Sequence, residues 1–181
     1  MEERAQEKGI DVEELLLLAI SKVDPEETLR LRLEMAERYL KEMQEYLRRG
    51  DAVQASEKAY KVAEELVKAL AEKFDLPEYE QAIKEGRWTA YSLGKAVNGL
   101  SLKLGHWVAD GWSSAYFLHI WGFHEAKLQV GDLTVYVDRV TEMYEKALEV
   151  LSRDQSSEPC LYHPSQDKPG NKRVFYTDLQ D

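Results

Sequence analysis

Leu29, Leu33, Ala36, Leu40, Met43 and Leu47 recur at steps of three and four, the spacing that lines one stripe of an α-helix. Both ends of this helix are marked. Asp24 stands at the N-cap, Pro25 at the first helical position, and Glu26 and Glu27 suit the positive end of the helix dipole. Arg48 and Arg49 favour the opposite end, and Gly50 supplies a left-handed stop. Asp51 then caps the next helix at once, and so short a link forces an antiparallel hairpin. In that second helix Ala55, Ala59, Val62, Leu66 and Ala69 form one stripe, with Tyr60, Ala63, Val67, Leu70 and Phe74 beside it. So wide an apolar arc predicts packing on two sides. The small residues Ala52, Ala55, Ser56 and Ala59 would admit a further helix closely near its start.

The same pattern continues on either side. Asp11 with Glu14 has the spacing of a capping box, and Leu15 to Leu18 is apolar on enough faces to need cover from neighbours. Leu76-Pro77 breaks the pattern, and Pro77 to Gly86 reads as a short helix. Arg87 to Leu104 is predicted helical, weakened by Gly94 and Gly99 at roughly 1 kcal/mol each relative to alanine. Gly105 to Gly111 reads as a joint. Asp110 is placed to cap a helix from Gly111 to Gln129, apolar nearly all round and therefore expected at the centre. Gly131-Asp132 restarts the chain, and Leu133, Val137, Val140, Tyr144, Ala147 and Leu151 mark a last long helix. The prediction is an all-α antiparallel bundle of about five to seven helices over residues 1–152. Residues 153–181, rich in Ser, Gln, Pro, Asp and Gly, form an irregular C-terminal extension with a short strand expected from Arg173 to Thr177.

Composition narrows the function. The chain has 181 residues, 24 Lys and Arg against 34 Asp and Glu, and a net charge of −10. That balance excludes general DNA binding, whose affinity comes from neutralising phosphates, but it leaves room for a local basic patch. Cys160 is the single cysteine, so no disulfide within the chain and no multi-cysteine zinc pattern can form. The start lacks the apolar stretch of a signal peptide and no apolar run reaches membrane-span length, so no membrane partner and a cytoplasmic protein are expected.

One segment departs from the rest. All four tryptophans (Trp88, Trp107, Trp112 and Trp121), three of the four histidines and six of the ten glycines fall between Gly86 and His124. Between Gly86 and Ala109 no acidic residue occurs, while Arg87, Lys95 and Lys103 do. This pattern fits an anion or nucleotide site, with Arg87, Lys95 and Lys103 for phosphate and Trp88 and Trp107 as stacking surfaces. The plainer reading is a buried helix pair with few charges because little of it meets water. Three cations eight residues apart step about 80° around a helix and do not form one row. His119, His124 and Glu125 are the candidate catalytic groups. A helical zinc site needs two histidines four apart, whereas five turns the rings roughly 140° apart on a regular helix. No metal is therefore expected there, and a buried, hydrogen-bonded histidine is the plainer reading. Cys160 and His163 in the tail read as incidental. The chain has no G-x-S-x-G, G-x-G-x-x-G or Walker pattern, and no cofactor is implied. The Glu- and Lys-rich faces of the early helices read as solvated, with pairs such as Glu34–Arg38 and Glu64–Lys68.

The stretch Leu47-Arg48-Arg49-Gly50-Asp51-Ala52-Val53-Gln54-Ala55-Ser56-Glu57-Lys58-Ala59-Tyr60, followed by Lys68-Ala69-Leu70-Ala71, resembles the archaeal PaREP family. Trp112-Ser113-Ser114-Ala115-Tyr116-Phe117-Leu118-His119 and Phe123-His124-Glu125 resemble later segments of that family. The likeness runs over about residues 30 to 151. It implies a helical bundle related to HEPN proteins, which are typically dimeric and include ribonucleases and nucleotide-linked partners of nucleotidyltransferases. The ribonucleases carry an Arg followed by His after four to six residues, and no Arg stands so before His106, His119 or His124. The expectation is a non-catalytic homodimeric module that binds a nucleotide, RNA or protein partner. The alternatives are a divergent metal-independent ribonuclease with His119 or His124 as general base, and a structural subunit of a two-component, toxin–antitoxin-like system.

Overall fold

A computed structural model describes residues 11–152. The tail, with Cys160, His163 and the strand expected at 173–177, lies outside the described residues. Among the described residues seven α-helices follow one another: α1 (Val12–Ser21), α2 (Pro25–Arg49), α3 (Ala52–Lys73), α4 (Pro77–Glu85), α5 (Ala90–Leu104), α6 (Trp107–Phe117) and α7 (Val130–Ser152), with a π-helical segment, Leu118–His124, between the last two. The fold is an all-α helical bundle. No helix among the described residues is long and apolar enough to cross a membrane.

The local signals act as read. Asp11, Asp24 and Asp51 each accept a hydrogen bond from the backbone N–H three residues on, all at 3.0 Å. Gly50 ends α2 at φ +79°, a conformation costly for any residue with a Cβ. The two long helices pack as an antiparallel hairpin. Ala36, Leu40 and Met43 are buried, and Leu29, Leu33 and Leu47 border the same core.

Several expectations change. The centre of the bundle is α3, which contacts α2, α4, α5, α6, α7 and the π segment; the helix expected from Gly111 to Gln129 does not hold that place. It begins earlier, at Trp107, with Asp110 inside its first turn, and it leaves the α-helical track at Leu118. Gly131 and Asp132 likewise lie within the first turn of α7, where the Asp132 carboxylate accepts from the Gln129 N–H at 2.9 Å. In α1, Leu17 and Leu18 are buried whereas Leu15 and Leu16 stay exposed, because α1 packs mainly along one side of α2 at the bundle edge.

The largest departure concerns charge. Asp11 caps α1 without the reciprocal bond of a capping box, because Glu14 turns inward. Its carboxylate accepts from Arg32 of α2 at 2.7 Å and from Lys68 of α3 at 2.7 Å. Arg32, only 1% exposed, also donates to Glu65 at 2.8 Å, and Lys68 reaches Glu65 at 3.1 Å and Glu64 at 3.0 Å. The Glu64–Lys68 pair expected on a wet face is thus at the edge of a buried cluster. Glu34, for its part, is held by Arg30. Glu72 completes the cluster, 3.8 Å from the Arg32 Nε and accepting from the Tyr79 hydroxyl at 3.3 Å. Tyr79, from α4, also bonds Ser21 of α1 at 2.7 Å. Four helices are tied together in this way. Removing one partner from such a buried pair costs about 3–5 kcal/mol, because the other charge is left without compensation.

The cluster titrates in two opposite senses. Burial alone would raise the Glu14 carboxyl, but Lys68 and Arg32 hold it below the usual range. Glu72, with the more distant cation, is pushed up by burial to about 7 against the pull of Arg32. A raised carboxyl means that the folded state holds a proton the unfolded chain has released. The contribution of Glu72 is therefore present below about pH 4.5 and lost as pH rises through 7. Glu72→Gln is expected to be more stable than the parent at pH 8, by up to about 3 kcal/mol, with the gap closing toward pH 4.5. Urea denaturation across that range checks it, and a pH-independent gap would assign Glu72 another role.

Candidate functional site

Thr89 and Ser92 close a reciprocal capping box that starts α5, each side chain bonding the other's backbone N–H at 3.0–3.1 Å. Gly94 and Gly99 follow on this helix. A Cβ at Gly94 would meet nothing within 4 Å, and one at Gly99 would meet only the Leu76 side chain at 3.7 Å. The glycines that weaken α5 as a helix thus leave an open floor. Above it lies a cleft of about 810 Å³ between the start of α4, the face of α5 and the middle of α6. Tyr91, Trp112 and Tyr116 give it aromatic walls, and Lys95 stands at its edge, paired with Glu78 at 3.5 Å.

The walls continue into the bundle as a run of rings. Trp112 and Tyr116 lie 6.3 Å apart at 25°, and Tyr60 of α3 meets Trp112 at 5.6 Å. Tyr60 then stacks on His119 at 4.0 Å and 20°, and His119 lies 5.8 Å from Phe123 at the same angle. Burial drives the Tyr60 hydroxyl pKa well up, so it stays protonated and serves only as a neutral ring and donor. Burial also lowers His119, as does His124, against the carboxylates of Glu64 and Glu57.

His119 and His124 meet, with their Nε2 atoms 3.0 Å apart. The expected 140° divergence fails because this stretch is not an α-helix. In a π turn the bonds run from i to i+5, which brings residues five apart over one another; the Glu125 N–H donates to the Ile120 carbonyl in this way at 2.9 Å. The physical cause is the approach to α3. Gly122 sits so tightly on that helix that a Cβ there would lie 2.1 Å from the Ser56 Oγ. The Ser56 hydroxyl is itself turned back, donating to the Ala52 carbonyl at 2.7 Å. The small-residue face predicted to admit a neighbour does so, and the neighbour is the π segment.

The other predicted residues scatter. Lys95 lines the cleft, whereas Arg87 and Lys103 do not, and all three are exposed. Trp107 is half-buried, and its indole N–H donates to the Leu104 carbonyl at 2.9 Å, closing the end of α5. Trp88 is half-buried against the core. Glu125 is exposed and pairs with Lys127 at 3.1 Å, away from the histidine pair. The aromatic groups that line the site are instead Tyr91, Trp112, Tyr116 and, behind them, Tyr60. Trp112, Tyr116 and His119 follow at four and three residues, so their shared face was readable; Tyr60, from a distant helix, carried no such signal.

Fold and site together define a class: an all-α bundle in which a central hairpin helix backs an aromatic cleft and a histidine pair. The sequence model of the Archaeal PaREP1/PaREP8 family matches residues 31–144, and the chain belongs to that family. A crystal structure of a protein from Sulfolobus solfataricus is similar, with 35% identity and a TM-score of 0.61, over 65% of this chain and 96% of that one. No curated protein matches the chain.

The Gly122 contact gives a direct check on the site's architecture. Gly122→Ala is expected to push the π segment off α3 and lower stability by about 1–3 kcal/mol, as overpacking does. Denaturant unfolding measures the loss; an unchanged midpoint would show that the approach is not tight.

Proposed function

We propose that this protein is a non-catalytic binding module for a nucleotide or RNA end, which it takes into the α4–α5–α6 cleft. The observation that carries this reading is the cleft itself, with Tyr91, Trp112 and Tyr116 on its walls and Lys95 at its edge. Aromatic faces stack any base, and a cation beside them suits a phosphate. Lys95 alone among the three predicted cations borders the cleft, so the phosphate contact falls to it. Arg87 and Lys103 would act only through the general field. Cleavage is not part of the proposal. The Arg–His motif of HEPN ribonucleases has no counterpart in the sequence, and neither His119 nor His124 lines the cleft.

Tryptophan fluorescence reports on this because Trp112 lines the cleft. Titration with a nucleotide and short-RNA panel is expected to give a saturable change that weakens with salt. Stacking on an aromatic ring is worth about 1–3 kcal/mol per base, so Tyr116→Ala should weaken binding roughly 5- to 100-fold, and Lys95→Glu should weaken it as well. A flat response across the panel rejects the reading.

The family resemblance also brings the expectation of a homodimer in a cytoplasmic setting, and one surface suits a second copy. Leu102, outside the cleft lining, is 84% exposed on α5. If that face joins two copies, light scattering gives a dimer for the parent and a monomer for Leu102→Glu. A dimer in both would place the interface elsewhere.

A further inference from the structure

His119 and His124 are left over by the nucleotide reading, which uses neither. Their geometry is that of two ligands converging on one point. Imidazoles bound to a common zinc at about 2.0–2.1 Å, at angles near 90–109°, hold their nitrogens about 2.9–3.4 Å apart and, at the narrow end, their ring centres about 4.5 Å apart. A straight Nε2–H···Nε2 hydrogen bond of the same length would hold the centres about 5 Å apart or more. Here the Nε2 atoms are 3.0 Å apart and the ring centres 4.4 Å, with the rings at 77°. We infer that His119 and His124 form a two-histidine site for a borderline transition-metal dication such as Zn²⁺, Cu²⁺ or Ni²⁺, the ions that imidazole nitrogen suits.

Three features of the molecule bear on this site. Its two ligands are rigidly placed: the π turn stacks residues five apart, Gly122 locks the turn on α3, and the Tyr60 ring fixes the plane of His119. The surroundings are net acidic. Glu57 and Glu64 act on His119 from α3, opposed by Lys61, which is itself paired with Glu64 at 3.6 Å. Access is open, since His124 is exposed and His119 only half-buried. The protein supplies two ligands; among the described residues no group of three or more His, Cys, Asp and Glu is placed to hold an ion. Water or an anionic ligand would fill the remaining positions.

The outer shell sets the strength. A metal-ligating histidine normally donates its second N–H to an acceptor, and the buried Nδ1 of His119 has no partner among the described residues. Loss of such a partner lowers affinity about 10- to 100-fold, so the site binds well below the strength of a full structural zinc centre.

The test is calorimetric titration of the full chain with Zn²⁺ in a non-chelating buffer, without nucleotide. The expected result is one ion per chain. His124→Ala removes an exposed side chain and should leave the fold intact while weakening binding at least tenfold. His119→Phe keeps the stack on Tyr60 and should do the same. A Cys160→Ser/His163→Ala double variant removes the tail's own donors and should bind as the parent does. Absence of binding, binding unchanged in His124→Ala, or binding lost with the tail variant overturns the inference. Nucleotide titrations repeated with a chelator present keep this outcome separate from the fate of the cleft.

Discussion

Arg32 enters the bundle as a full positive charge with almost no exposed surface, and the packing of four helices follows from the need to match it. An isolated buried guanidinium would be prohibitive, so carboxylates come to it from α1 and α3. Once there, Glu14 and Glu65 also engage Lys68. This fixes the short α1 against the long hairpin far more specifically than its leucines could, since two of those leucines remain in solvent. Glu72 is the carboxylate with the weakest cation contact, and through Tyr79 it extends the network to α4. Apolar contacts make the bundle stable; the charges decide how its first helix sits.

On the opposite end of α3 the constraint is steric. Alanines and Ser56 make a shallow face, and a chain with glycine at the contact point can lie on it. Backbones that approach so closely gain dispersion contacts, at the expense of regular α-helical hydrogen bonding in the approaching segment. The π turn is the result. It re-aims two histidines that an α-helix would have sent apart. A backbone adjustment made for packing thereby creates the one close pair of imidazoles in the described part of the chain.

Cleft and histidine pair are joined by stacked rings. Trp112 and Tyr116 face the open side, Tyr60 lies behind them, and His119 closes the run. The glycines of α5 complete the arrangement by withholding side chains from the cleft floor. This joins a feature that weakens a helix to a surface that can receive a planar ligand, and it places a metal-competent pair within the same aromatic system.

Helix type, caps and the antiparallel hairpin were legible from residues 24 to 74 because they depend on local chemistry: an aspartate before each helix, a glycine after α2, and apolar residues at helical spacing. The small face of α3 was legible for the same reason. Tertiary structure alone decided which polar residues went inside. Arg32, Glu14, Glu65 and Lys68 are charged side chains that a count of apolar positions leaves out of the core, and only the simultaneous arrival of opposite charges from other helices makes burial tolerable. It also decided the fate of Trp107, whose ring closes a helix end, and of Arg87 and Lys103, which do not line the cleft that Lys95 borders. The register of His119 and His124 was beyond any spacing rule. Five residues mean divergence on an α-helix and contact on a π turn, and the choice between them was made by the fit of Gly122 against Ser56.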